Sequence, residues 1–235
     1  MNMPTPTRVH LLAPRSVGLE PLSPHATASY DPAQIAWIDA ERADDLDPDS
    51  DDPLAAGADA LARRGLSLRP WRRSDLQTFR VLLDDPEVWA HLPEPYPDPL
   101  DTESAAVLIG LANSLDAQLI RAALCDGIAV GQVRLDLSPA NGTAEISYWL
   151  GRDYWAQGIG KALVAGTVRR ACDRIPDLLK LVAKVKPENT ASARLLRRAG
   201  FTACTTPPLP GFDDWHWFAL RRQDLGRGIR SEASP

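Results

Sequence analysis

Gln157-Gly158-Ile159-Gly160-Lys161 is the stretch whose residue types and spacing could do chemistry. Two glycines let the backbone curl tightly, so several N–H groups of a first helical turn can aim at one point. The helix dipole adds partial positive charge there, which suits an anion and above all a diphosphate. The same glycines would also serve as an eased helix entry with no ligand. Two better-known phosphate loops fail here. A Walker A loop needs glycine where Trp155 stands and Ser or Thr where Ala162 stands. A dinucleotide fingerprint needs a small residue at Leu163.

The flanking elements must position this turn. Upstream, Glu145 to Leu150 carries Ile146, Tyr148, Trp149 and Leu150, the content of a buried strand. Gly151 and Asp153 break it. Downstream, Ile159, Leu163, Val164, Val168 and Ala171 recur at the spacing of one buried helix face. A second block follows: Pro187-Glu188-Asn189-Thr190-Ala191-Ser192, then Leu195, Leu196, Gly200 and Phe201. Asn189 before this helix is an ordinary N-cap candidate.

These two blocks together resemble the GCN5-related N-acetyltransferase (GNAT) superfamily. The turn is similar to its Q/R-x-x-G-x-G/A acetyl-CoA loop, with Trp155 where Arg or Gln usually stands. The second block is similar to its N-x-x-S/A helix ending in G-F. Tyr154-Trp155 and the opening L-x-L-R-P-W from Leu66 resemble the RimJ/RimL-like branch. The resemblance spans roughly Leu66 to Leu225. It implies an α/β GNAT fold, a mixed, mostly antiparallel sheet flanked by helices and splayed between the Glu145–Leu150 strand and the next one. Acetyl-CoA would lie in that gap as co-substrate, with no metal.

The expected activity is direct acetyl transfer to a primary amine, either a protein N-terminal amine or a small amine. Gln157, Gly158, Ile159, Gly160, Lys161 and Ala162 would hold the diphosphate. Trp149 and Leu150 would pair with the amide-rich arm, and Asn189 and Ser192 would touch it. An ammonium has no lone pair, so the acceptor must lose a proton, and Glu145 is the candidate base. Its alternative is a strand-end surface charge. Leu196 stands where many members carry a proposed acid tyrosine, so Ser192, or Ser147, is the candidate hydrogen-bond donor to the departing sulfur. The competing reading is a non-catalytic acyl-CoA-binding module that uses its acidic N-terminus for a partner.

The rest of the chain sets bounds. Residues 1–64 are proline-punctuated and acidic from Asp39 to Pro53, and read as a largely disordered extension; Tyr30 to Glu41 could form a short helix within it. Residues 65–225 read as the acetyltransferase domain and residues 226–235 as a polar tail. A net charge of −5 argues against nucleic-acid binding. Cys125, Cys172 and Cys204 are odd in number and widely spaced, and no apolar run suits a membrane span, so a cytoplasmic protein, monomer or homodimer, is expected. Prolines at 93, 95, 97 and 99 forbid regular helix. In the family such a stretch walls the acceptor site, where Glu94, Asp98 and Asp101 could attract an amine or be plain loop charges. His91 and His216 read as packing or loop residues.

Overall fold

The computed structural model describes Leu61 and residues 65–114, 118–205 and 212–225. The expectations for the extension before Leu61 and for the polar tail lie outside these residues.

Strand β1 (Leu66–Arg69) leads through a 3-10 turn at Arg73–Asp75 into α1 (Leu76–Leu83). Asp75 ties that turn down: it accepts from the Arg69 guanidinium at 2.6 and 2.9 Å and from Arg72 N–H at 2.8 Å. A single-turn helix α2 (Pro86–Trp89) follows, with Pro86 at its start and Asp85 capping Glu87 N–H at 2.8 Å. The prolines at 93 to 99 then keep the chain irregular until α3 (Thr102–Ser114). Three antiparallel strands come next, β2 (Gln118–Cys125), β3 (Ile128–Ser138) and β4 (Thr143–Leu150). Helix α4 (Ile159–Arg174), strand β5 (Lys180–Val185), helix α5 (Thr190–Arg198) and strands β6 (Thr202–Ala203) and β7 (His216–Arg221) complete the order.

The seven strands form one sheet in the order β1-β2-β3-β4-β5-β7-β6. Every pair is antiparallel except β4 with β5. That parallel pair holds only at Thr143↔Lys180, Ala144↔Leu181 and Glu145↔Val182. Beyond Glu145 the two strands part, so the sheet splays where the sequence resemblance implied.

Alternation along β4 sends its side chains to two separate cores. Ile146 and Leu150 join Leu163, Val164 and Val168 of α4 and Leu196 of α5 on one face. Trp149 turns to the other face, stacked on Trp71 at 6.3 Å and edge-on to Phe79 at 5.8 Å, among residues of α1 and α3.

Leu61 is wholly buried in the first of these cores. Its carbonyl accepts from Leu66 N–H at 3.0 Å, and its side chain fills the notch left by Gly166, where any Cβ would overlap Leu61 Cγ. Leu61 thus packs with the domain, ahead of the 64/65 boundary that the apolar alternation from Leu66 implies.

Candidate active site

The glycine turn is built as an amide cradle. Gly158 caps α4 with φ 78°, a left-handed conformation that an L side chain rarely takes. Ala156 also sits at φ 58°, a strained value for alanine. Ile159 is buried and anchors the helix start in the core. Among the described residues, none of the N–H groups of Gln157, Gly158, Ile159, Gly160 and Lys161 donates to a protein acceptor. Ala162 differs from its expectation: its N–H is already bonded to Gly158 O at 3.2 Å, so it has no free amide for a ligand. The Gln157 side chain donates to Asp153 O at 2.6 Å and so braces the turn from outside. Gly160 brings α4 close to α5, since a Cβ there would stand 3.1 Å from Leu195 Cδ1.

The splayed edge of β4 lies beside this cradle. Backbone groups of alternate residues in an antiparallel strand point to opposite sides. Gly151 N–H bonds to Val130 O of β3 at 2.9 Å. Counting back by twos, Trp149 and Ser147 face β3, while Leu150, Tyr148 and Ile146 turn toward the parting β5. The expectation for Trp149 is thereby corrected: its backbone is engaged with Gln132 of β3 and its indole packs on Trp71. Leu150 does face the gap, but its carbonyl is taken by Trp155 Nε1 at 2.8 Å. Ile146 N–H still reaches β5 at the last paired position, Glu145↔Val182, so the unclaimed groups on this edge begin with the Ile146 carbonyl and continue at Tyr148.

Across the gap, Asn189 caps α5 by accepting from Ser192 N–H at 3.0 Å. Ser192 Oγ lies 2.6 Å from the Tyr148 hydroxyl, joining α5 to β4. Burial pushes the Tyr148 phenol up to about 12, with the Ser192 hydrogen bond acting in the opposite sense. Tyr148 escaped the sequence reading, which counted it as strand filler. Its hydroxyl matters because it faces a helix that only the fold brings near.

On the opposite face, Glu145 is buried, 5% exposed, rather than a strand-end surface charge. Its Oε1 accepts from Lys184 Nζ of β5. The Lys184 ammonium also lies over the Phe212 ring, 4.5 Å from its centroid. Glu145 thus has a resident cation that no local pattern of residues pairs with it. Ser147 is exposed on this same face.

The proline-rich stretch forms the outer wall on that face. An open cavity of about 370 Å³ lies among Trp89, Glu94, Tyr96 and Lys186, with Pro86, Ala90, Pro93 and Pro95. Asp84 pins this wall, accepting from Tyr96 O–H at 2.7 Å and from Leu100 N–H at 2.8 Å. Asp98 and Asp101 do not line the cavity; Asp101 instead accepts from Ser104 N–H at 2.6 Å at the start of α3. His91 packs near Trp155, ring centroids 6.0 Å apart.

Burial raises the thiol pKa values of Cys172 and Cys204, which disfavours either as a nucleophile. Among the described residues no group of His, Cys, Asp and Glu could hold a metal ion, and no helix is long and apolar enough to cross a membrane.

A sheet parted at its centre, with a free amide cradle at the head of the adjoining helix, defines the acetyltransferase class of α/β fold. The chain belongs to the GNAT acetyltransferase family, matching its acetyltransferase (GNAT) domain over residues 65–202. It is 29% identical over 150 residues to an uncharacterized N-acetyltransferase p20 of Bacillus licheniformis, a match covering 61% of this chain and 82% of that protein. Among solved structures, it superposes with a TM-score of 0.58 and 22% identity on RimL, a ribosomal L7/L12 alpha-N-protein acetyltransferase in complex with coenzyme A, covering 67% of this chain and 94% of that one. The Vibrio cholerae spermidine N-acetyltransferase in complex with CoA and spermine superposes with a TM-score of 0.57 and 19% identity, covering 68% and 98%.

Proposed function

We propose that this protein transfers an acetyl group from acetyl-CoA to a primary amine, of a protein N-terminus or a small molecule. The observation that carries the reading is the cradle of five unclaimed N–H groups from Gln157 to Lys161 beside the parted strands. Acetyl-CoA supplies the acetyl group as an activated thioester. The residues present fit it: free amides at a helix N-terminus suit a diphosphate, and the open edge from the Ile146 carbonyl through Tyr148 suits an amide-bearing arm by strand-like pairing.

The amine nitrogen bonds to the acetyl carbon as the carbon–sulfur bond breaks; one proton leaves the amine and one goes to the sulfur. Glu145 is the proposed proton acceptor, on the face away from α4 and α5. Lys184 must yield its hold on the carboxylate for that role. Ser192, ordered by Tyr148 and by the Asn189 cap, is the proposed donor on the sulfur side. RimL and the spermidine enzyme, two neighbours with coenzyme A bound, support the co-substrate; by name they act on different acceptors, an N-terminal amine and a polyamine.

Calorimetric titration with acetyl-CoA, followed by thiol release over an amine panel, tests the reading. Binding with amine-dependent release is expected. Binding without release from any amine, and no change in Glu145→Gln, would establish the non-catalytic acyl-CoA module instead.

A further inference from the structure

The cavity beside the prolines carries two charges of opposite sign, and neither is spoken for. Lys186 Nζ donates one hydrogen bond, to Ala90 O at 2.8 Å, and stands 5.6 Å from the Trp215 ring centroid. An ammonium has three N–H groups, so two remain. Neither Lys186 nor Glu94 has an ion-pair partner among the described residues. The aromatic walls have no donor left to offer. Trp89 Nε1 donates to Leu83 O at 2.6 Å and the Tyr96 hydroxyl to Asp84 at 2.7 Å, so both residues present mainly ring surface.

The cavity also lies on the reacting side of the sheet. Glu145 is in register with Val182 on the parallel strand, so the two share a face. Lys184 shares it too, as its bond to Glu145 requires. Lys186, two residues further, emerges just past the end of β5, where the strands have parted. The Glu145 and Lys184 charges cancel each other. What an incoming molecule meets is the lone ammonium of Lys186 next to the gap, with Glu94 on the outer wall.

We propose that this cavity is the acceptor subsite and that it selects an amine carrying an anionic group beside the amine, Lys186 holding the anion. The inference rests on the acetyl-transfer reading and narrows its acceptor. Glu94 receives the acceptor's ammonium on approach, before that group loses its proton. A polyamine fits poorly, because a second ammonium near the gap meets Lys186. An acidic N-terminal peptide and a free acidic amino acid present the same chemistry, and separate arms of the test distinguish them.

The test compares thiol release from acetyl-CoA with the tripeptides Ser-Asp-Ala, Ser-Asn-Ala and Ser-Lys-Ala, with free aspartate and with spermidine, for wild type, Lys186→Met and Lys186→Glu. Peptide binding without acetyl-CoA is followed in parallel by quenching of Trp89 fluorescence, with Trp89→Phe as the blank. The expected wild-type order in kcat/KM is Asp over Asn over Lys, with roughly three- to tenfold between the extremes, the size of one partly exposed charge pair. Lys186→Met flattens the order and Lys186→Glu inverts it, in binding as in turnover. Faster release with the peptide than with free aspartate assigns the site to N-termini, and the reverse assigns it to amino acids. An order led by spermidine, or one unchanged in Lys186→Glu while release continues, overturns the inference and leaves acetyl transfer standing. Absence of release with every amine, in every variant, removes the acetyl-transfer reading and the inference with it.

Discussion

The hydroxyls of Tyr148 and Ser192 lie 2.6 Å apart and bridge strand β4 to helix α5 across the parted edge of the sheet. The bond sets the direction of Ser192, whose amide is already fixed by Asn189. Tyr148→Phe should therefore lower kcat by roughly tenfold, while Ser192→Ala should lower it by roughly 10²-fold, the low end for loss of a proton donor. Acetyl-CoA affinity, measured by calorimetry, should hold in Tyr148→Phe, because the backbone edge is unchanged.

The same phenol links stability to pH. Its pKa rises from 10.0 in the unfolded chain to about 12 in the folded one. A raised pKa gives stability that is fully present below pH 10 and is lost as pH climbs toward 12. At 1.36 kcal/mol per pH unit, the stability difference between wild type and Tyr148→Phe should shift by roughly 2–3 kcal/mol across that window. Urea unfolding at pH 9 and at pH 12 reads it, with the wild type losing more.

Glu145→Gln should slow turnover by roughly 10²-fold if the carboxylate takes the amine proton. It should also destabilise the fold by roughly 3 kcal/mol, because the largely buried Lys184 loses its counter-charge. The double variant Glu145→Gln/Lys184→Met separates the two effects. Stability should return and turnover should not. Recovery of turnover together with stability would assign Glu145 a purely structural part.

Asp84 holds Tyr96 and Leu100 and so fixes the proline wall. Asp84→Ala leaves two donors without their acceptor, at a cost of roughly 1–3 kcal/mol. KM for the acceptor should rise several-fold with acetyl-CoA affinity unchanged, as steady-state kinetics and calorimetry would report.

Leu61 fills the notch above Gly166 from before the first strand. Leu61→Ala in the full chain should cost roughly 2–4 kcal/mol, the usual range for a large-to-small change in a core. Thermal unfolding would show it, and a wild-type midpoint would mean that the contact contributes nothing.

Much of the fold is legible in the residues themselves. The regular strands and helices follow from alternation and helical spacing, and β4 runs over Thr143–Leu150 as those residues imply. The glycine turn was legible because its chemistry is local: Gly158, Gly160 and the first turn of α4 are contiguous. The partners of the site residues were not. Lys184 meets Glu145, and Ser192 meets Tyr148, only because β5 and α5 return to β4 from well down the chain. Nothing local to either residue encodes that meeting. Trp149 was misplaced for a narrower reason. Which backbone groups face a gap depends on the hydrogen-bonding phase with β3, and side-chain pattern does not carry that phase. Leu61 was missed because a single leucine before Arg63 and Arg64 shows no periodicity.

We propose that the amides of residues 157–161 hold the diphosphate of acetyl-CoA. Calorimetry with acetyl-CoA and with S-acetylpantetheine, which shares the arm but lacks the diphosphate and nucleotide, tests it most directly when repeated in Gly158→Val, where a β-branched residue must adopt φ 78°. Wild type should bind acetyl-CoA at least roughly 10²-fold more tightly than the pantetheine ester, as two charge-assisted hydrogen bonds alone would give, and Gly158→Val should erase most of that gap while leaving the ester's affinity in place. Equal affinities in wild type, or a gap that survives Gly158→Val, would contradict it.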